Sequence, residues 1–165
     1  MDQWIEGGYP RLVLQPGVTV PFVPKKILIL TDNAKGYCAK VVPAMVGMLE
    51  DRAFIVDTHE INDGPVDVGP HSGIVLGSPV YGMGLKGVGP TPALTEYVTH
   101  SLPDLDNHKI AVFCVYEVRP GMTLDRMKGM SYDKGAELIA AHGFWLGRPM
   151  RGAHIIPAEC MVRVV

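Results

Sequence analysis

The stretch Lys26-Ile27-Leu28-Ile29-Leu30-Thr31-Asp32-Asn33-Ala34-Lys35-Gly36-Tyr37-Cys38 decides the fold class. Lys26–Leu30 carries the unbroken apolar run of a parallel strand buried on both faces. A polar, glycine-containing turn follows at Thr31–Tyr37. Residues 38–50 then place Val41, Val42, Met45, Val46, Met48 and Leu49 as a buried helix face would, with Pro43 early enough to be tolerated.

The same alternation continues outward. Ala53-Phe54-Ile55-Val56 reads as a second strand, 62–72 as a loop, and Gly73–Ser78 as a third strand. A glycine-rich loop occupies 79–90. A helix is predicted over 91–102, with Thr91 as its N-cap and Pro92 at its first position. Lys109–Val115 reads as a fourth strand and 123–142 as a helix interrupted by Gly129 and Gly135. Residues 144–151 and 153–156 read as short extended pieces, and 161–165 as a last strand. Alternating strands and helices imply an α/β domain, a parallel sheet with helices on both faces. Right-handed crossovers bring the turns Thr31–Tyr37, Pro79–Pro90 and Tyr116–Met122 to one sheet edge. Ligands of open sheets bind there, where strand order reverses.

Residues 1–24 differ in kind. Pro10, Pro16, Pro21 and Pro24 forbid a helix. The segment is either an extended N-terminal arm packed across the domain or a partner subunit, or a partly disordered leader. The α/β domain then spans 25–165.

Composition bounds the function. The 165 residues suit one domain with one core, and 47% apolar against 19% charged is a globular balance. A net charge of −2, with no Lys/Arg run longer than Lys25-Lys26, excludes a phosphate-neutralising nucleic-acid surface. No apolar stretch reaches the length of a membrane span, and the first residues lack the basic and apolar regions of a signal peptide. Three widely spaced cysteines, Cys38, Cys114 and Cys160, point to a reducing, cytoplasmic setting, with no disulfide framework and no zinc spacing. The six histidines are scattered, with no pair at ligand spacing on one helix face.

Three loops carry the candidate chemistry. The turn after the first strand offers helix N-terminal N–H groups to a phosphate, with Thr31 and Asn33 as side-chain donors and Gly36 allowing close approach. An ordinary capped turn fits the same residues, and Asp32 suits an anion only if it points away. Cys38, at a helix start, is a candidate reactive thiol without an evident base. The loop after the third strand has four glycines in eight residues, at 82, 84, 87 and 89, which implies close backbone approach to a ligand or loop motion. Tyr81 is placed to cover a planar ligand, or is a half-buried surface aromatic. Gly82, Gly84 and Gly87 also spell G-x-G-x-x-G, but Pro90-Thr91-Pro92 intervene before the helix, unlike a dinucleotide fingerprint. In the third loop, Tyr116 and Glu117 flank the same edge, and Arg119 either meets an anion or is incidental.

Together, Lys26–Cys38, Gly73–Gly82 (GIVLGSPVYG), Lys109–Tyr116 and the tail Gly135–Gly147 resemble the flavodoxin family and its relatives, the flavodoxin-like domains of larger flavoproteins and the NAD(P)H-dependent FMN reductases. The resemblance covers about residues 26–151. It implies a three-layer sandwich around an open five-stranded parallel sheet of order 2-1-3-4-5, holding FMN. Carried across, Thr31, Asn33, Ala34, Lys35, Gly36, Tyr37 and Cys38 would cradle the phosphate. Pro79, Val80, Tyr81 and Gly82 would line one edge of the ring, and Tyr116, Glu117 and Gly121 the other. The family's hydroxyl-rich T/S-x-T-G-x-T phosphate loop is largely lost here. The usual last helix is replaced by an extended-looking tail, so one sheet face is left as a candidate dimer surface shared with the arm.

The resemblance implies an FMN redox protein, either an electron carrier or an NAD(P)H-dependent flavin or quinone reductase. Its partner would be a redox protein or NAD(P)H, and the low net charge leans away from a pure carrier. The alternative is a cofactor-free flavodoxin-like binding or assembly subunit of a larger redox complex, favoured by the altered loop and nine methionines. The third is a nucleotide-binding enzyme using the 82–87 glycines.

Overall fold

Ile27, Leu28, Ile29 and Leu30 are all buried, because the first strand, β1 (Lys26–Thr31), lies inside a sheet covered on both faces. In the computed structural model, which describes residues 23–82 and 87–147, β1 pairs in parallel with β2 (Ile55–Glu60) and with β3 (Gly73–Pro79). β4 (Lys109–Tyr116) adds to β3, and β5 (Glu137–Trp145) adds to β4. The order is β2-β1-β3-β4-β5, all parallel, as the resemblance implied. Chain direction along the sheet reverses between β1 and β3, which puts the ligand-binding crevice at their C-terminal ends.

Side-chain alternation divides the core in two. Ile27, Ile29, Val75, Ala111, Phe113 and Val115 face α1 (Val42–Glu50), which contributes Met45 and Leu49. Leu28, Leu30, Ile74, Leu76, Ile110 and Val112 face α2 (Pro92–Glu96) and α3 (Thr123–Asp133). A fully buried side chain of this size stabilises by about 1.5–3 kcal/mol. Gly77 is a glycine for this packing: a Cβ there would fall inside the Phe113 ring, which in turn meets Phe144 edge-on at 5.8 Å.

Thr91 caps α2 as read from the sequence, its hydroxyl accepting from Leu94 N–H at 3.2 Å, and a π turn at Tyr97–Ser101 extends that helix. The segment between β2 and β3 is a loop rather than a crossover helix. Its carbonyls find side-chain partners: Tyr97 Oη donates to Gly64 O at 2.8 Å, and His108 Nε2 lies 3.1 Å from Val68 O.

Two boundaries differ from expectation. The second strand runs 55–60, not 53–56; Ala53 sits at φ +63, and the strand continues through Asp57–Glu60. β2 is an edge strand, so its polar half carries no apolar signal to read. The helix expected over 123–142 ends at Asp133, and 137–145 is strand. Gly135, at φ +78, makes the stop. Its N–H donates to Tyr132 O at 2.9 Å and Ala136 N–H reaches Ser131 O at 3.1 Å, the bond pair that closes a helix C-terminus. Glu137–Ala141 are helix formers, but pairing with β4 overrides propensity. Most of the N-terminal arm (residues 1–22), the extended pieces at 148–151 and 153–156, the strand at 161–165, the interface expected of arm and tail, Gly84 and Cys160 lie outside the described residues. Among the described residues no helix is long and apolar enough to cross a membrane.

Candidate functional site

The site begins with a buried carboxyl. Asp32, 1% exposed, follows β1 and turns into the protein rather than toward the crevice. Its Oδ1 accepts from Ala34 N–H at 2.9 Å and its Oδ2 accepts from the Thr91 hydroxyl. Thr91 N–H in turn donates to Ser78 Oγ at 3.3 Å. The ends of β1 and β3 and the start of α2 are thereby locked together, and the acid that seemed to oppose an anion is a structural brace.

With Asp32 turned inward, the rest of the turn faces out. Gly36 takes the left-handed conformation at φ +68, with open space beyond its Cα, and Tyr37 returns to the right-handed helical region. Such a reversal aims successive backbone N–H groups outward as an anion-binding concavity. Among the described residues, the N–H groups of Lys35, Tyr37 and Cys38 have no protein acceptor, whereas Gly36 N–H is held by Asn33 O at 2.9 Å. The ammonium groups of Lys35 and Lys40 lie 5.7 and 5.9 Å from the Tyr37 ring centre, so two cations stand beside the outward N–H groups.

Opposite stand the second and third loops. Val80 N–H is tied to Val115 O at 2.9 Å. Tyr81 and Gly89 exchange backbone hydrogen bonds of 2.8 and 2.9 Å, which pairs these two residues and leaves Tyr81 49% exposed. Gly82, at φ +99, is pressed against the Gly87 carbonyl. Tyr116 packs its ring over Gly143, 3.0 Å from where a Cβ would stand. Glu117 O accepts from Trp145 Nε1 at 2.6 Å, and its carboxyl accepts from the Tyr37 hydroxyl, joining the first loop to the third. That bond, more than burial or Coulombic repulsion from Glu117, raises the Tyr37 phenol pKa.

These loops enclose an open cavity of about 680 Å³, a common ligand-site size. Of the residues that the resemblance singled out, Lys35, Tyr37, Val80, Tyr81, Gly82, Tyr116 and Glu117 line it. The sequence reading missed Val88 and Val118 and left Arg119 undecided; all three line the cavity. An isolated valine among glycines gave no periodic signal. Other expected residues are placed elsewhere. Gly121 packs on Val88, Cγ1 standing 2.6 Å from a would-be Cβ, and Pro79 is buried at the end of β3. Ala34 serves through its bond to Asp32. Thr31 and Asn33 line a different cavity, on the β2 side. Cys38 is buried in the α1-side core, and burial, then the Asp32 charge, pushes its thiol pKa far up. The thiol thus faces the core, and its N–H is what it offers to the site. No group of three or more metal-ligating side chains occurs among the described residues.

Strand order, layer arrangement and crevice define a flavodoxin-like fold. Solved structures agree. Two-electron reduced Megasphaera elsdenii flavodoxin superposes with a TM-score of 0.68 at 19% identity, over 82% of this chain and 98% of that one. Fusobacterium nucleatum flavodoxin bound to flavin mononucleotide gives 0.65 at 9% identity, over 85% and 96%. The rubredoxin oxygen:oxidoreductase of Desulfovibrio gigas gives 0.66 at 13% identity, over 86% of this chain and 36% of that one. No protein-family model and no curated protein sequence matches the chain.

Proposed function

We propose that the chain is an FMN-binding redox protein whose flavin occupies the cavity of Lys35, Tyr81 and Glu117. The observation that carries this reading is the unbonded N–H row at Lys35, Tyr37 and Cys38, set beside two lysines and across from an aromatic held at the end of β3. An amide concavity with positive charge suits a phosphate; a crevice walled by Val80, Tyr81, Val88 and Tyr116 suits a flat, largely apolar ring. Backbone N–H groups and lysine charge take over the work of the missing hydroxyls. FMN, when bound, supplies one- and two-electron transfer. The protein's own part is to hold the phosphate at the turn, to shield the ring with Tyr81, and to set the local charge through Glu117.

The electron donor or acceptor is a redox partner protein or NAD(P)H, and the buried free thiols Cys38 and Cys114 accord with a reducing cytoplasmic setting. A cofactor-free assembly subunit is the second reading; the loss of most hydroxyls from the turn at Thr31–Cys38 favours it. Purified protein that is yellow, absorbs near roughly 370 and 450 nm and releases FMN on denaturation supports the redox reading. Colourless protein that takes up no added FMN supports the second. Bleaching by NAD(P)H then separates a reductase from a carrier.

A further inference from the structure

We propose that the cavity between the start of α1 and the C-terminal ends of β1 and β2 is a second binding site, for the vicinal diol of a nucleoside ribose. This cavity of about 540 Å³ has a polar wall of Thr31, Asn33, Glu60 and Asp63 and an apolar wall of Val42 and Pro43. It shares no lining residue with the first cavity, so the proposal stands whether or not that one holds a flavin.

Thr31 points to a ligand. It is 6% exposed and lines this cavity, yet its hydroxyl has no hydrogen-bond partner among the described residues. The oxygen opens onto the cavity wall with its lone pairs unclaimed by protein, so a hydroxyl donor entering the cavity would find an acceptor there. Beside it, in ladder register, stands Glu60. Asn33 is oriented by Ala39 N–H, which donates to its Oδ1 at 3.1 Å; its Nδ2 then reaches Glu60 Oε1 at 3.4 Å. That single long bond leaves most of the carboxylate's lone pairs open.

The chemistry selects the ligand. Two carboxylates and no lysine or arginine line the cavity, and its one histidine, His59, has Nε2 engaged with Gly64 O at 2.8 Å, which disfavours phosphates and carboxylates. With no three-ligand cluster among the described residues, a metal centre has no donor set. A carboxylate at the end of a strand, with a hydroxyl next to it, accepts two adjacent O–H groups, the arrangement by which an acid engages ribose in open α/β sheets. The Val42–Pro43 wall offers a base an apolar face. A 2′-phosphate in place of the hydroxyl would meet Glu60 and Asp63 and be rejected.

The test is titration of the purified protein by ¹H–¹⁵N NMR with adenosine, 2′-deoxyadenosine, adenosine 2′-monophosphate, methylammonium and magnesium. Expected are saturable adenosine shifts centred on Thr31, Asn33 and Glu60, binding about tenfold weaker for 2′-deoxyadenosine, and none for the 2′-phosphate. Glu60→Gln should weaken adenosine binding by about tenfold, and Thr31→Val by a smaller factor, both with unchanged spectral dispersion. The proposal is overturned if adenosine gives no shifts, if shifts centre on Lys35 and Tyr81, or if the deoxy and 2′-phosphate analogues bind as well as adenosine. It is also overturned if methylammonium or magnesium binds in adenosine's place, or if both variants bind as the parent does.

Discussion

Replacing Thr91 with valine tests the brace beneath the site. The Thr91 hydroxyl acts twice: it donates to the buried Asp32 carboxyl and accepts from Leu94 N–H at 3.2 Å as the cap of α2. Valine keeps the shape and removes both bonds. Loss of the cap costs about 1 kcal/mol. A buried carboxyl oxygen left without its donor costs about 1–3 kcal/mol more. The sum is about 2–4 kcal/mol, a large part of a small domain's stability. Urea unfolding followed by far-ultraviolet circular dichroism reads it as a lower midpoint at constant slope. Thr91→Ser keeps both bonds and should lose less than about 1.5 kcal/mol, for the buried methyl alone. A valine variant as stable as the parent would refute the brace. So would a serine variant that loses as much as valine, because the cost would then lie in packing. If the brace also presents the turn, FMN should bind less tightly to the valine variant than to the serine variant.

Gly135→Ala should destabilise by more than about 1 kcal/mol, since φ is +78 and its Cβ would overlap the Asp106 carboxyl, whereas Gly129→Ala, with open space inside α3, should stabilise by about 0.5–1 kcal/mol; thermal melts compare the pair. Burial pushes the Cys114 thiol up to about 12 and the Cys38 thiol higher still, so both should resist alkylation at pH 8 in the folded protein and react on unfolding, as read by peptide mass spectrometry. The His71 hydrogen bond to Asp57, 2.9 Å, and then the Lys26 charge hold the Asp57 carboxyl below its ordinary pKa against a smaller opposing effect of burial. Its contribution to stability is therefore complete above the unfolded carboxylate pKa and is lost as pH falls through the lower folded value; Asp57→Asn should flatten that part of the acid limb in denaturant titrations.

How much of this was legible depended on where each signal lay. β1, β3 and β4 are buried on both faces, so their apolar runs declared them. The edge strands did not. β2 hid behind Asp57–Glu60, and β5 is written in helix formers that only pairing with β4 makes extended. The glycine at 135 was visible as an interruption, but whether a glycine interrupts or ends a helix depends on its φ, and nothing local in the sequence fixes that. The tight approach of Phe113 over Gly77 is a contact between strands, equally unavailable to a local reading.

The site divides along the same line. Topology alone gathers three loops at one edge, which is why Tyr81, Tyr116 and Glu117 could be named from position in the chain, whereas Lys35 was named only through the family resemblance. Which way a side chain turns within its loop is decided by partners far along the sequence. Asp32 turns inward because Thr91 waits 59 residues away, and that turn decides the fate of its neighbours. With Asp32 as the pivot, Lys35 and Tyr37 face the β3–β4 cavity while Thr31 and Asn33 face the β2 cavity. A segment that reads as one phosphate loop is thus the partition between two cavities of different charge, Lys35 and Arg119 with the one carboxylate of Glu117 on one side, and Glu60 and Asp63 with His59 on the other. An anion belongs with the first, and a neutral hydroxyl donor with the second.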